Sequence, residues 1–289
     1  MLSTFRNFAG DMDYTLNCNG RLMDLRTPRV MGIVNATPDS FYADSRTETE
    51  RQIAARTRQI LGEGADIIDV GACSTRPDSS PASEADETAR LRRALAVVRR
   101  EAPEAVVSVD TFRPDVARMA VEEFGVSIVN DVGQTASAEA ATAKGRQDMF
   151  RMVARLQVAY VYMSSQRNMH DILLDCAEAA DRLRSLGQKD ILVDPGFGFG
   201  KTLDENYAVM RQLERMALLR LPVLVGVSRK SMVYRLSGTT PDEALNGTTV
   251  LNTLALTKGA RVLRVHDVRE AVEAVRIVAA VKSEIENRK

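Results

Sequence analysis

An apolar strand, a polar or glycine-containing loop and an amphipathic helix recur in this order along the 289-residue chain. The pattern predicts eight strands, over Val30–Asn35, Asp66–Val70, Ala105–Asp110, Ser127–Asp131, Val158–Met163, Asp190–Asp194, Pro222–Val227 and Arg261–Val265. Core spacing marks the helices between them and the last helix, which carries Val268, Ala271, Val275, Val278, Val281 and Ile285. Strands alternating with helices in this number predict an α/β protein with a (β/α)8, or TIM, barrel. A Rossmann fold is the alternative, but no Gly-x-Gly-x-x-Gly follows the first strand.

The segment before the first barrel strand has a different pattern. Residues 14–27 alternate in polarity around Asn19-Gly20, a strong signal for a short β-hairpin. We expect this hairpin to cover one end of the core. Since no stretch has linker-like or low-complexity composition, residues 1–289 are predicted to form a single domain.

Charge and cysteine content limit the partners and the compartment. The 39 basic and 39 acidic residues cancel, so neither a nucleic acid nor an anionic membrane is an expected partner. The first 13 residues lack the apolar core of a signal peptide, and no run reaches transmembrane length. Cys18, Cys73 and Cys176 are scattered and lack metal-ligand spacing, which is typical of a reducing compartment. We therefore expect a cytoplasmic protein.

The stretch Asp190–Thr202, DILVDPGFGFGKT, changes character at one residue. A short β-branched run ends in Asp194, and Pro195-Gly196 then stop both strand and helix. The glycines that follow allow the backbone to approach a small molecule closely. A nucleotide P-loop is the alternative interpretation, but Pro195 stands where that motif needs its first glycine. A ligand-binding loop at a strand end is therefore the better interpretation.

Polar side chains follow almost every predicted strand. The strand ends are Asn35, Asp69, Asp110, Asn130-Asp131, Met163, Asp194, Ser228-Arg229-Lys230-Ser231 and Arg264-Val265-His266-Asp267. In a barrel these ends meet on the face that carries active sites. A single polar end could be only a turn former or a helix cap. Together, they predict a site for a polar heterocycle beside an anionic leaving group.

Seven motifs at these strand ends resemble the dihydropteroate synthases, within the wider pterin-binding barrel family. The motifs are MGIVNATPDSF (31–41), IIDVGACSTRP (67–77), VSVDTF (107–112), IVNDV (128–132), DPGFGFGKT (194–202), VGVSRKS (225–231) and RVHDV (264–268). The resemblance implies condensation of 6-hydroxymethyl-7,8-dihydropterin diphosphate with p-aminobenzoate, which releases diphosphate in folate biosynthesis. It also implies Mg2+, a homodimer and competition by sulfonamides with p-aminobenzoate.

The same resemblance implies roles for individual residues. Pterin binding is expected from Asp110, Asn130, Met163, Asp194, Phe199 and Lys230. Diphosphate binding is expected from Asn35, Thr75, Arg76, Arg264 and His266, with Asn35 also at the metal. Ser231 and Lys230 are expected to bind p-aminobenzoate, and Asp110, Lys230 and Arg264 to be catalytic. The carboxylates among these residues suit pterin binding, because a carboxylate accepts bidentate hydrogen bonds from the amino edge of a pterin. We hypothesise a dissociative substitution in which Asp110 stabilises positive charge.

The chain departs from the family pattern in three loops, after the first, second and fifth strands. The third departure is Val161-Tyr162-Met163-Ser164-Ser165, where the family has a histidine. Two other functions therefore stay open. One is a methyltetrahydrofolate–corrinoid methyltransferase, which would not need the Ser228–Ser231 motif. The other is a pterin-binding protein without catalysis, which would bind the diphosphate substrate but release no diphosphate.

Overall fold

The computed structural model describes residues 13–36, 43–72, 82–132 and 142–286. A hairpin of β1 (Thr15–Cys18) and β2 (Arg21–Asp24) precedes a closed barrel. The parallel barrel strands are β3 (Arg29–Asn35), β4 (Ile67–Gly71), β5 (Val106–Asp110), β6 (Ile128–Asp131), β7 (Ala159–Met163), β8 (Ile191–Asp194), β9 (Val223–Val225) and β10 (Ala260–Val265). They pair in chain order, and β10 closes the barrel against β3. The predicted barrel and hairpin are confirmed.

Helices surround the barrel and connect its strands. In the described part of the chain they are α1 (Ala43–Gly62), α2 (Glu84–Glu101), α3 (Pro114–Phe124), α4 (Ala143–Leu156), α5 (Met169–Ser185), α6 (Leu203–Arg211), α7 (Ser231–Ser237), α8 (Leu245–Thr257) and α9 (Val268–Glu286), with a 3₁₀ helix over Leu213–Leu219. Among the core positions predicted for the last helix, Val281 is wrong because it is 57% exposed, and the side chain of Ile285 lies outside the described residues. Val281 lies beyond Val278, the last residue of α9 that packs in the core.

Inward-facing side chains divide the barrel interior into two halves. The half at the amino ends of the strands is apolar and consists of Met31, Ile67, Val106, Ile128, Ala159, Val161, Leu192, Leu224 and Val262. Leu16, Cys18 and Leu25 of the hairpin segment pack against this layer. The Asn17 N–H also donates to Asp190 Oδ1 at 2.9 Å, which fixes the hairpin across this end. Apolar side chains therefore fill the amino end of the barrel interior, and the polar groups of the interior lie at the carboxyl end.

A buried ion pair ties α2 to the loop after β5. The Glu87 carboxylate is fully buried and accepts from Thr111 Oγ1 at 2.6 Å and from the Arg113 guanidinium. Arg113 also donates to the Ala82 carbonyl at 2.6 Å. Because a buried carboxylate is strongly destabilising without its partners, this network fixes the position of α2 relative to the start of α3.

The outer helices contact water on one face and the barrel on the other. Within the described ranges, no helix combines the length and apolar character that crossing a membrane requires.

Candidate active site

The carboxyl ends of the strands bring the predicted polar residues together at one mouth of the barrel. Asp110 is level with Gly71 on one neighbouring strand and with Asn130 on the other. Met163 is level with Asp194 in the same way. A Cβ on Gly71 would lie 3.4 Å from Asp110 Cβ, an ordinary van der Waals contact, so Gly71 packs directly beside this side chain.

Arg264 joins two carboxylates across this mouth. Its Nε donates to Asp69 Oδ2 and its Nη2 to Asp110 Oδ2, both at 2.6 Å. Asp69 is fully buried, and the Arg264 side chain is 19% exposed. Burial opposes the charge on the guanidinium, but the two carboxylates raise the pKa of Arg264 above its usual value. The cation therefore stays charged while inside the barrel.

Asp69 and Asp110 share this one guanidinium, and this sharing affects the pKa of Asp110. Burial raises the pKa of Asp110 to about 7, with further contributions from Asp69, Glu87 and Asp131 that the nearby Arg264 opposes. A single cation cannot fully balance two buried acids, so one of them holds its proton more strongly. Asp131 points outward instead, and accepts from the Tyr160 hydroxyl at 2.7 Å.

Asn130 and Asp69 carry acceptor atoms that the described residues leave unpaired. Asn130 is fully buried, and its Nδ2 is 3.4 Å from Asp69 Oδ2. Asn130 Oδ1 and Asp69 Oδ1 are both buried and have no hydrogen-bond partner among the described residues. Buried polar atoms in folded proteins are nearly always paired. Both oxygens can accept hydrogen bonds from N–H or O–H donors of a bound molecule.

Asp194 begins the glycine-rich loop that borders the mouth on the opposite side. Its Oδ1 accepts from the Gly196 N–H at 2.7 Å, and its side chain is buried. Burial raises the pKa of Asp194, while Lys230 and the Gly196 N–H act in the opposite direction. Lys201 donates to the Gly196 carbonyl at 2.8 Å, and burial lowers the pKa of Lys201 to about 8.

Lys230 reaches the same loop from the turn before α7. Its Nζ donates to the Phe197 carbonyl at 2.5 Å and lies 4.3 Å from the centroid of the Phe199 ring. Burial lowers the pKa of Lys230 to about 8, although Asp194 acts to raise it. A Cβ on Gly198 would lie 2.8 Å from Lys230 Cδ, so a side chain at this position would displace the lysine.

His266 and Asn35 border a cavity beside the mouth, between β3, α1 and the end of β10. The cavity has a volume of about 390 Å3 and is also lined by Arg56, Arg229 and Asp267. Burial and the nearby Arg264 lower the pKa of His266 to about 4, so the ring is neutral at physiological pH. Arg229 is held by Asp267 at 3.0 and 2.8 Å, which makes it a structural ion pair.

The remaining predicted residues lie at the edges. Ser231 is the first residue of α7 and is half-buried next to Lys230. Thr75 and Arg76 lie outside the described residues. In the described ranges no three His, Cys, Asp or Glu side chains converge as a metal cage would require. The exposed Asn35 amide still fits Mg2+, an ion that commonly keeps several waters and takes its other oxygens from phosphates.

Sequence reasoning did not assign three residues that the structure brings into the site. Asp69 interrupts a strand that is apolar otherwise, and a buried carboxylate in such a strand is a usable signal. Lys201 supports the Asp194 loop, and Ser228 lies 3.1 Å from the His266 ring. The Ser228 contact has no sequence signal, because it depends on how the ends of β9 and β10 meet, whereas the Lys201 contact is local and lies within one loop.

Comparison with known proteins identifies the class. The family model described as pterin binding enzyme matches residues 31–266. The dihydropteroate synthase of Escherichia coli is 35% identical over 282 residues, which cover 95% of this chain and 99% of that protein. The chain therefore belongs to the pterin-binding enzyme family. Within it, the chain is one of the dihydropteroate synthases, the transferases of folate biosynthesis, as the sequence motifs predicted.

Solved structures agree in fold and in sequence. A Xanthomonas albilineans dihydropteroate synthase with 4-aminobenzoic acid is 35% identical with a TM-score of 0.81, and the match covers 94% of this chain and 99% of that chain. The Thermus thermophilus enzyme in complex with 4-aminobenzoate is 35% identical with a TM-score of 0.78, covering 92% and 99%. These similarities favour the synthase over the methyltransferase alternative.

Proposed function

We propose that this barrel mouth condenses 6-hydroxymethyl-7,8-dihydropterin diphosphate with p-aminobenzoate, through the residues described above. The observation that carries these roles is the pair of unpaired buried oxygens, Asn130 Oδ1 and Asp69 Oδ1, on the two strands that flank Asp110. A dihydropterin presents adjacent N–H donors along one edge, which suit such acceptors. The pterin ring therefore lies in the mouth, with its amino edge toward these oxygens.

Asp194 accepts hydrogen bonds from the donor groups of the pterin ring, and Lys230 donates to an acceptor group of the same ring. Asp194 accepts from the pterin amino edge through Oδ2, because Oδ1 already accepts from the Gly196 N–H. Lys230 donates to the pterin carbonyl after its Nζ leaves the Phe197 carbonyl. Met163 is fully buried under the ring, and Phe199 borders it beside the lysine. The ring is thus fixed by charge-assisted hydrogen bonds at its edge and by apolar contact on its face.

Asp110 stabilises the reacting carbon. In a dissociative substitution the carbon–oxygen bond to diphosphate breaks before the amine attacks, and the pterin carries positive charge. An ionised carboxylate held in a buried site stabilises such a charge strongly. Arg264 keeps Asp110 oriented through the 2.6 Å hydrogen bond, and its Nη1 has no partner among the described residues. That nitrogen remains available to the departing phosphate.

Hydrogen-bond donors at the edge of the mouth bind the diphosphate. His266, Arg264 and Asn35 supply N–H groups there, and Thr75 and Arg76 are assigned to the same anion by the family motif. Mg2+, held by the Asn35 oxygen together with waters, would supply charge neutralisation on the diphosphate. The Ser231 hydroxyl binds the p-aminobenzoate carboxylate, which orients the arylamine toward the pterin. Attack by the amine nitrogen forms the new C–N bond, and the amine loses a proton.

Two substitutions separate binding from chemistry. Asp194→Asn is expected to weaken pterin binding most, since it removes the charge that accepts the amino edge. Asp110→Asn is expected to lower kcat more than pterin affinity, because its charge matters once the cation forms. Calorimetric pterin binding and steady-state rates measure the two effects. The opposite ranking would contradict these roles.

Two further assignments rest on the family resemblance. We infer a homodimer, which sedimentation at micromolar concentration tests, and a monomer would contradict it. Mg2+ dependence is tested by chelation followed by addition of Mg2+ or Ca2+. Diphosphate release that is unchanged after chelation would remove the metal from the account.

A further inference from the structure

One hydroxyl serves two nitrogen atoms of the same histidine. The His266 backbone N–H donates to Ser228 Oγ at 3.1 Å, and this oxygen lies 3.1 Å from Nδ1 of the His266 ring. Ser228 is 5% exposed and follows β9, whereas His266 follows β10. The contact therefore joins the ends of two adjacent strands at the mouth of the barrel.

Accounting for the protons distinguishes the two neutral forms of the ring. A hydroxyl has one proton to donate and two lone pairs. If Nδ1 carried the ring proton, Ser228 Oγ would accept twice, and its own proton would have no acceptor among the described residues. If Nε2 carries the ring proton, Oγ accepts from the backbone N–H and donates to Nδ1. The second form pairs the hydroxyl proton with Nδ1 and is favoured, because an unpaired buried hydroxyl is unfavourable.

We propose that Ser228 is a positioning residue that holds His266 as the neutral Nε2–H tautomer. In this form His266 offers the diphosphate a hydrogen-bond donor, not a positive charge or a transferable proton. The identity of the anion rests on the proposed function, whereas the tautomer rests on the geometry of Ser228 and His266 alone.

The surroundings of the ring agree with a neutral donor. The charged groups around it are Arg264 of β10, Arg229 after β9, Arg56 of α1, and Asp267. Burial and the three guanidinium groups favour the neutral ring, and only Asp267 acts in the opposite direction. Arg56 also donates to the His266 carbonyl, which holds the backbone in place. Nε2 has no hydrogen-bond partner among the described residues, and His266 lines the cavity together with Asn35.

Nitrogen-15 NMR of the histidine side chains tests the tautomer directly. The chain has two histidines, and His170 is exposed on α5, so His170→Asn assigns the spectrum. Long-range proton–nitrogen correlations distinguish Nε2–H from Nδ1–H. We expect one Nε2–H form for His266 at neutral and mildly acidic pH. A ring protonated at Nδ1, or a mixture of both forms, would overturn the proposal.

Variants of Ser228 test its role. In Ser228→Ala the second tautomer should appear and the ring should titrate at higher pH, because the hydrogen bond to the neutral form is lost. Ser228→Thr keeps the hydroxyl and should retain the wild-type spectrum. An unchanged tautomer and titration in Ser228→Ala would show that the hydroxyl does not position the ring.

Amide substitutions at position 266 test the donor atom. A glutamine amide reaches the place of Nε2, whereas an asparagine amide reaches only that of Nδ1. We expect His266→Asn to raise the KM for the pterin diphosphate by roughly tenfold, the loss of one hydrogen bond to a charged acceptor, and His266→Gln to raise it less. Equal effects would contradict the donor role. Absence of turnover in the wild type would refute the proposed function but leave the NMR result valid.

Discussion

Gly198→Ala separates the effect of backbone strain from the effect on Lys230. Gly198 has a φ of +80°, and a Cβ there would lie 2.8 Å from Lys230 Cδ. A non-glycine residue in the left-handed region costs about 1–2 kcal/mol, so the variant should lose this much folding stability. The lysine is long and can move, so the clash itself adds little to that loss. We expect the displaced Nζ to lose its hydrogen bond to the pterin.

The effect on binding follows from the lost hydrogen bond. A hydrogen bond to a charged group contributes about 1.5–3 kcal/mol, so pterin affinity should fall by about 10-fold to 150-fold. Gly200→Ala is the matched control, since Gly200 has a φ of +63° and a Cβ there meets no atom within 4 Å. It should lose similar stability but keep its affinity for pterin.

Calorimetric titration with the pterin and denaturant unfolding of both variants measure the two quantities. Equal pterin affinity in Gly198→Ala and Gly200→Ala would refute the argument that glycine is needed for Lys230 to reach the site.

Three further predictions concern charge. Because Asp110 must be ionised and Lys230 protonated, kcat/KM should rise through a pKa of about 7 and fall above about 8, giving a bell-shaped pH profile. Asp69→Asn should move the acidic limb of this profile to lower pH, since one guanidinium then serves a single carboxylate. Arg113→Met should lower the free energy of unfolding by about 3 kcal/mol, because Glu87 is left buried without its cation.

A specific result would contradict each of these three predictions. Lys230→Arg should remove the alkaline limb, and a limb that persists in this variant would belong to another group. An acidic limb that stays in place in Asp69→Asn would show that the two carboxylates are not coupled. Arg118→Met is the control for Arg113, since its exposed pair with Asp115 contributes at most about 1 kcal/mol. Equal losses in the two arginine variants would contradict the buried-pair argument.

The sequence predicted the barrel because strand periodicity and helix periodicity are local properties. Each predicted strand is present, with small differences at the ends; β9 stops at Val225, although the apolar run continues to Val227. The strand ends also predicted where Asp194 and Lys230 would lie. Both are delivered by short motifs whose position relative to a strand is fixed by the chain itself.

Pairings across the barrel could not be predicted in this way. Arg264 and Asp69 are separated by 195 residues. Their contact depends on the closure of the barrel, in which β10 pairs with β3, the neighbour of β4. The sequence places cations and carboxylates at the ends of different strands, but it does not indicate which of them pair. The structure places the guanidinium between two acids. Ser228 and His266 likewise meet only because β9 and β10 are neighbours.

The most direct test of the site is diphosphate release from the pterin diphosphate with Mg2+, measured with and without p-aminobenzoate. The wild type should release diphosphate and form dihydropteroate only when p-aminobenzoate is present. Lys230→Ala should lose this activity, whereas Lys189→Ala, at an exposed lysine before β8 at the other end of the barrel, should keep it. Full activity in Lys230→Ala, or release that does not depend on p-aminobenzoate, would contradict the account.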